Sequence, residues 1–495
     1  MNTGIRRGDG YTATEQALAE FADQSFLRLW SYPNTFNDRT KSSSGSGQEI
    51  ADLLVVFGPH VLIFSDKNIS WQEGKPIGLA WSRWYKRAVD SSIAQLVGAE
   101  RWIDKHPDRI FLDKMCEQRL PIALPQKEKR ITHLIAVANG ANTASRKFFG
   151  HARGTFILQP SLKGADHTNI QRPDFRPFTL GDTNADGTFV HVFDQASLEL
   201  LMREMNTVTD FTNYLDARAK FFRSGQLAIA AGEDDLIATY MMNLFADGKA
   251  AFIPRKLRIK ARRRAVVIPE GQYETYVSSP LYQNFMLATE LSRLWDRTIE
   301  MISDDVLQGT SIELLGHAPS TDLAERGLRV MAAENRTNRM HLAHSLSSAL
   351  ERAVDEGFAR FIRRAMIARS RGERKVGYIF LSVPQDKSLG TQEEYREYRG
   401  RMLETYCLAF LSEQPQLETV VGIALEVYRR NGEIHSKSED LLVIDAPDWT
   451  PELKESLAIN KEAFGLADPK DLEGGYKRGR RIKSPFRVVR QKRRL

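Results

Sequence analysis

The sequence predicts an α/β protein of several domains, and three observations carry that prediction. Apolar runs of strand length alternate with longer stretches whose apolar residues recur every three to four positions. Alternation of this kind favours layered sheets with at least one crossover helix. A chain of 495 residues is also long enough for several domains with cores of their own, and no repeat of solenoid or propeller period runs through it.

The elements follow in order. Residues 12–30 set Leu18, Phe21, Ala22, Phe26 and Trp30 at helical spacing behind a Thr-rich start that can cap. "SYPNTF" reads as a short extended piece broken by Pro33, and "NDRTKSSSGSGQ" as a polar loop. The stretch 49–68, "EIADLLVVFGPHVLIFSDKN", holds two apolar runs around a Gly-Pro turn, a hairpin of buried strands. Residues 77–106 return to helical spacing, and "ITHLIAVAN" (131–139) is a further buried strand. Helix, strand, strand, helix, strand is the predicted order of the first domain.

From about 150 to 275 short β-like runs ("GTFILQP", "GTFVHVF", "AVVIP") surround one helical stretch. Residues 280–305 and 320–371 read as helical, and the chain closes on strand "VGYIFLSV", a long helix, and strands "TVVGIALEVY" and "DLLVID". The expected domains are therefore 1–145, a mixed β-rich region 146–275, a helical region 276–372, an α/β unit 373–473 and a basic tail 474–495.

Composition narrows the function classes. Two cysteines, Cys116 and Cys407, far apart in sequence, make neither a disulfide framework nor a zinc-spaced set. The start "MNTGIRRGDGYTATEQ" has no apolar core of signal length, and nowhere does an apolar run reach the roughly 18 residues a span needs. A cytoplasmic setting without a membrane is expected. The net charge of +7 resides in the tail: residues 474–495 carry ten Lys or Arg and no acid, which leaves the rest of the chain at −3. Such a tail attracts a polyanion by releasing counterions, with little sequence preference.

Within the hairpin, Asp52 interrupts the first apolar run and Asp66 and Lys67 end the second. Strand alternation puts Asp52 on a face with Leu54 and Val56, and Ser65 on a face with Lys67. Register then decides whether Asp52 meets Ser65 and Lys67 or Asp66. An acid on one strand and an acid-lysine pair on the next, within this order of elements, resembles the PD-(D/E)xK (restriction-endonuclease-like) nuclease superfamily over residues 12–140. The resemblance implies a Mg²⁺ (or Mn²⁺) site in which Asp52 is the first acid and Lys67 the lysine that assists the attacking water. It also implies a Gln on the following helix near the lysine, for which Gln95 is the candidate.

One departure stands out: Ser65 occupies the position two before Lys67 where the family has Glu or Asp. Three readings stay open. Asp66 supplies the second carboxylate through a twist or bulge at the strand end; Glu15 on the first helix, or Glu49, completes the shell; or the site has lost its metal and the fold only binds.

Two basic segments complete the candidate set. In "RKLRIKARRR", Arg255, Lys256, Arg258, Lys260, Arg262, Arg263 and Arg264 alternate with Leu257 and Ile259, as in an extended strip with one cationic edge. Lys477, Arg478, Arg480 and Arg481 open the tail. Phosphate contacts look alike for both nucleic acids, so DNA is the first expectation and RNA stays open. By resemblance, a bacterial anti-phage defence or restriction-type effector is the natural setting, working with a second protein subunit or as a homo-oligomer. The alternative is a non-catalytic nucleic-acid-binding or scaffold subunit.

Other motifs carry less. "DTNADG" (182–187) opens like a calcium loop but has Phe193 where the bidentate Glu belongs, so a β-hairpin turn is expected. "SSSGSG" precedes a strand, unlike a phosphate loop; His341 and His344 lack a third ligand; and no G-x-S-x-G elbow is present. Trp81, Trp84, Tyr85 and Trp102 form an aromatic stripe of the kind that more often packs a core than stacks on bases.

Overall fold

The computed structural model describes residues 5–150, 155–247, 249–254, 265–309, 321–355, 360–367, 374–385 and 390–466. The chain divides into two compact units, residues 1–286 with 306–310 and residues 287–305 with 311–495.

In the first unit, helix α1 (Ala13–Phe26) starts where the Thr12 side chain accepts the Glu15 N–H, and it buries Leu18, Ala19, Ala22 and Phe26. Strand β1 (Ser31–Asn37) is a full seven residues, longer than its proline suggests; it lies at the sheet edge, where a missing N–H is tolerated. A short helical turn α2 (Lys41–Ser44) interrupts the polar loop. Strands β2 (Gln48–Phe57) and β3 (His60–Asn68) form the predicted hairpin, with Gly58 taking the left-handed φ of 56° that the tight turn requires. The predicted helix 77–106 is α3 (Ile77–Tyr85) and α4 (Ser91–Lys105), joined by a π-helical turn at Lys86–Asp90. Trp81, Trp84 and Tyr85 are buried core residues, so this part of the aromatic stripe packs the core, while Trp102 is half-buried with Arg109 over its ring.

Strand β4 (Ile131–Asn139) and helix α5 (Asn142–Phe149) follow. Beyond them come β5 (Ile157–Lys163), β6 (Thr179–Asp182), β7 (Val190–Phe193), α6 (Gln195–Glu204), α7 (Val208–Arg223), β8 (Leu227–Ala230), α8 (Glu233–Asp247) and β9 (Val266–Ile268). The first sheet has the order β1-β2-β3-β4-β7, antiparallel from β1 to β3 and parallel from β3 to β7. The second has the order β6-β5-β8-β9. Because β6 and β7 belong to different sheets, "DTNADG" is a turn between sheets and not the expected hairpin. Asp182 is held there by Arg223 at 2.7 Å.

In the second unit the sheet order is β10 (Phe361–Met366), β11 (Val376–Ser382), β12 (Thr419–Arg430) and β13 (Glu433–Asp445). The helix Gln392–Glu413 is the crossover between parallel β11 and β12. It packs Leu403, Tyr406 and Phe410 against a core containing Ile379, Leu381, Val420 and Ala424. The alternate residues Tyr378 and Phe380 meet Trp295. Strand β10 corrects the helical reading of 320–371: the helix Arg336–Asp355 ends early, and Phe361–Met366 pairs antiparallel with β11. Pairing at an open sheet edge outweighs an ambiguous apolar spacing there.

Candidate active site

The β2–β3 ladder runs only from Phe57↔His60 to Leu53↔Phe64. Beyond that point β2 stays on β1, through Ala51↔Thr35 and Glu49↔Phe36, while β3 stays on β4, through Ser65↔Ala136 to Asn68↔Asn139. The two strands thus part in a fork. Its mouth is where the hairpin's charged residues lie.

Asp52 sits in the crotch of this fork. Its Oδ2 accepts the main-chain N–H of Asp66, which replaces the ladder bond the parting strands have given up. Register therefore sets Asp52 against the backbone of Asp66, with Ser65 the next residue beyond the paired Phe64. The Asp66 carboxylate lies on the α1 face: its Oδ1 accepts from Asn139 Nδ2 at 2.9 Å, and the Thr14 side chain also bonds it. Ser65 lies on the α4 face, with its Oγ 3.1 Å from Gln95 Oε1 and 3.2 Å from Ser92 Oγ. Gln95, expected near Lys67, thus bonds the residue two before that lysine on the strand.

Two further carboxylates border the mouth. Asn34 Nδ2 donates to Glu15 Oε2 at 3.0 Å and to Glu49 Oε1 at 2.8 Å, which joins the first turn of α1 to β2. Glu15 also accepts the Tyr11 N–H at 2.9 Å, so part of its role is to cap α1. Among the residues brought here, Asn34 and Asn139 were not singled out in the sequence. Neither carries charge, and the one available signal was an amide directly after Pro33 in an otherwise apolar extended piece.

The electrostatics separate these acids. Burial pushes Asp52 up to about 7, against the Asp66 N–H bond and the charge of Lys67, which pull down. Asp66 is raised by burial first and then by Glu15, with Thr14 and Lys67 opposing. Glu49 is raised by burial and by Glu15, while Asn34 and Lys67 oppose. Burial also acts on Glu15, but the Asn34 amide and the N–H groups of the helix start hold it below the ordinary value. Lys67, half-buried at the strand end, is the positive charge that Glu49, Asp52 and Asp66 share. A narrow cleft opens beside Asp66, lined by Thr14, Leu18, Asn139, Gln195 and Glu199. It has room for about one water.

In kind, this donor set fits a hard divalent cation: carboxylate oxygens, three of them lifted toward protonation by burial, which a positive ion relieves. The shell is not ready-made. Among the described residues, no three His, Cys, Asp or Glu side chains stand together at metal-holding positions. The basic strip 255–264 and the tail from Lys477 lie outside the described residues. Among those described, no helix is long and apolar enough to cross a membrane. Compared with protein-family models, curated proteins and solved structures, the chain matches none.

Proposed function

We propose that the first unit is a Mg²⁺- or Mn²⁺-dependent nuclease that hydrolyses phosphodiester bonds of DNA. The observation that carries this reading is the fork, where Asp52 touches Asp66 while Lys67 acts on both. Asp52 and Asp66 would hold the cation, with Glu15 and Glu49 beside them. When bound, the ion supplies charge to offset the phosphorane-like oxygens and lowers the pKa of its water. Lys67 orients water and places positive charge beside the scissile phosphate without occupying the cation. Gln95 fixes Ser65 and with it the end of β3. The basic strip 255–264 and the tail track the phosphate backbone, as charge alone would have it. A regulated defence or restriction-type role, with a partner subunit or a second copy, belongs to this proposal.

Purified full-length protein, incubated with plasmid, linear DNA and RNA in the presence of Mg²⁺, Mn²⁺ or EDTA, is expected to cut DNA only with metal. Asp52→Ala and Lys67→Ala should abolish the cutting. A second reading, a non-catalytic nucleic-acid-binding subunit, is favoured by Ser65, which is spent on Ser92 and Gln95 where a ligand would be needed. Binding that survives both substitutions, with no cleavage under any metal condition, would establish that second reading in place of the first.

A further inference from the structure

Asn34 is 2% exposed, in a strand buried along its whole length, yet its φ is +48°. Among non-glycine residues Asn tolerates that left-handed region best, but glycine would adopt it more cheaply. The position coincides with the end of regular β1–β2 pairing, whose register shifts at Thr35/Phe36. An outlier of this kind, buried beside a candidate site, calls for a functional account.

The amide itself supplies one. Asn139, the other buried Asn of the site, is satisfied at both ends: Nδ2 donates to Asp66, and Oδ1 accepts the Gln195 N–H at 2.8 Å. Asn34 is satisfied at one end only. Its Nδ2 bridges Glu15 and Glu49, while its buried Oδ1 has no hydrogen-bond partner among the described residues. A residue selected merely to pack would not leave an acceptor orphaned at this cost. The end it does use holds together two carboxylates, from different elements, whose charges oppose each other.

We propose that Asn34 is a positioning residue: its amide preassembles Glu15 and Glu49 as the outer acidic pair of a divalent-cation site at the fork. This rests on the metal-dependent reading of the fork, but it concerns binding and can stand or fall apart from cleavage. The amide donates where a cation would otherwise balance the pair. The spacing of this outer pair, though not the inner shell, is thus set before the ion arrives.

The test is Mn²⁺ binding by full-length protein, read from the free-ion signal in electron paramagnetic resonance, with melting curves in EDTA and in Mn²⁺. Asn34→Gly keeps the backbone conformation and deletes the clamp, and is expected to weaken Mn²⁺ binding about tenfold or more, the scale of an orienting partner. Asn34→Asp keeps the conformation and exchanges the donor for an oxygen. It should melt lower than wild type in EDTA, gain more from Mn²⁺ than wild type does, and bind at least as tightly. Combining Asn34→Gly with Glu49→Gln should weaken binding no further than Glu49→Gln alone.

Wild-type binding by Asn34→Gly, equal weakening by Gly and Asp, or additive losses in the double variant would each overturn the proposal. If Asn34→Gly does not fold, Asn34→Asp decides: a Mn²⁺-induced gain no larger than wild type's refutes it. Cleavage is scored separately. Clamp-dependent Mn²⁺ binding without nuclease activity upholds the proposal and removes the nuclease reading; Asp52-dependent cleavage with binding indifferent to Asn34 does the reverse.

Discussion

Two buried aspartates, one in each unit, have opposite electrostatics. Asp296, in the helix Pro280–Gln308, accepts from Arg336 at 2.8 Å and Arg339 at 2.6 Å, both nearly inaccessible on the helix Arg336–Asp355. Burial works against its charge, but the two guanidinium groups hold it below the ordinary value. Asp52 is just as inaccessible, 4% exposed against 4%, but its close partner is a neutral backbone N–H, and it rises to about 7. Burial alone therefore does not say what a carboxylate is for. A charge already neutralised by close guanidinium groups belongs to the architecture; one whose hydrogen-bond donors are all neutral is, on the nuclease reading, the one an incoming cation would balance.

The largest expected effect breaks the comparison at its functional end. Asp52→Ala should lower metal-dependent cleavage by about a hundredfold to ten-thousandfold, the range that metal-borne charge stabilisation supplies, whereas Asp296→Asn should leave the cleavage rate of the folded fraction near wild type. Rates on supercoiled plasmid, normalised to folded protein, decide it. A comparable loss in both variants would remove the distinction.

Stability should rank the two the other way. Asp296→Ala leaves two buried guanidinium groups without their carboxylate and is expected to cost about 3–5 kcal/mol in urea unfolding. A cost below about 1 kcal/mol would mean that the arginines find other acceptors.

For Asp52 the sign depends on pH. Between its ordinary 3.8 and about 7, the folded metal-free chain binds more protons than the unfolded chain, so stability falls as pH rises and the loss is complete above about 7. The difference corresponds to about 4 kcal/mol at most. Asp52→Asn keeps an acceptor for the Asp66 N–H and removes the titration. In EDTA it should be more stable than wild type by a few kcal/mol near pH 8 and no more stable near pH 4. His133, held down to about 3 by burial and by His60, acts in the opposite sense below its ordinary value, so the difference between the two proteins is the quantity to follow. A difference independent of pH would refute the assignment.

The smallest effects sharpen the contrast between units. Thr12 and Thr391 both cap helices, and each Thr→Ala should cost about 1 kcal/mol. Only Thr12→Ala frays the turn that brings Thr14 and Glu15 to the fork, so it alone should also raise the Mg²⁺ concentration needed for half-maximal cleavage. Equal metal requirements in the two variants would count against a role for that turn.

How far the sequence reached follows the range of the interactions involved. The β2–β3 hairpin was legible because two uninterrupted apolar runs flank Gly58-Pro59, and the crossover helix Gln392–Glu413 because its neighbours are unbroken strands. The place of β7 was not legible, since "FVHVF" reads as a strand but nothing local says that it pairs parallel with β4, more than fifty residues earlier. Within the site, the meeting of Asp52 with Asp66 could be framed from alternation. The fork could not, because it depends on where a ladder stops. Asn34 escaped notice for a related reason: an uncharged residue inside a buried strand shows its purpose only through the partners it finds.

The π-helical turn at Lys86–Asp90 has a consequence for what changes the chain can absorb. Upstream of it, Trp81 and Trp84 donate to the carbonyls of His167 and Asn139; downstream, Ser92 and Gln95 contact Ser65. Five residues of π-helical winding turn through about the same angle as four α-helical ones, so the turn absorbs one residue without changing which way the helix faces beyond it. Removing one of those five should restore ordinary winding and leave both the tryptophans and Gln95 on their partners. Adding one there would swing Gln95 off β3 by about 100°, so a one-codon deletion in this turn should be far better tolerated than a one-codon insertion.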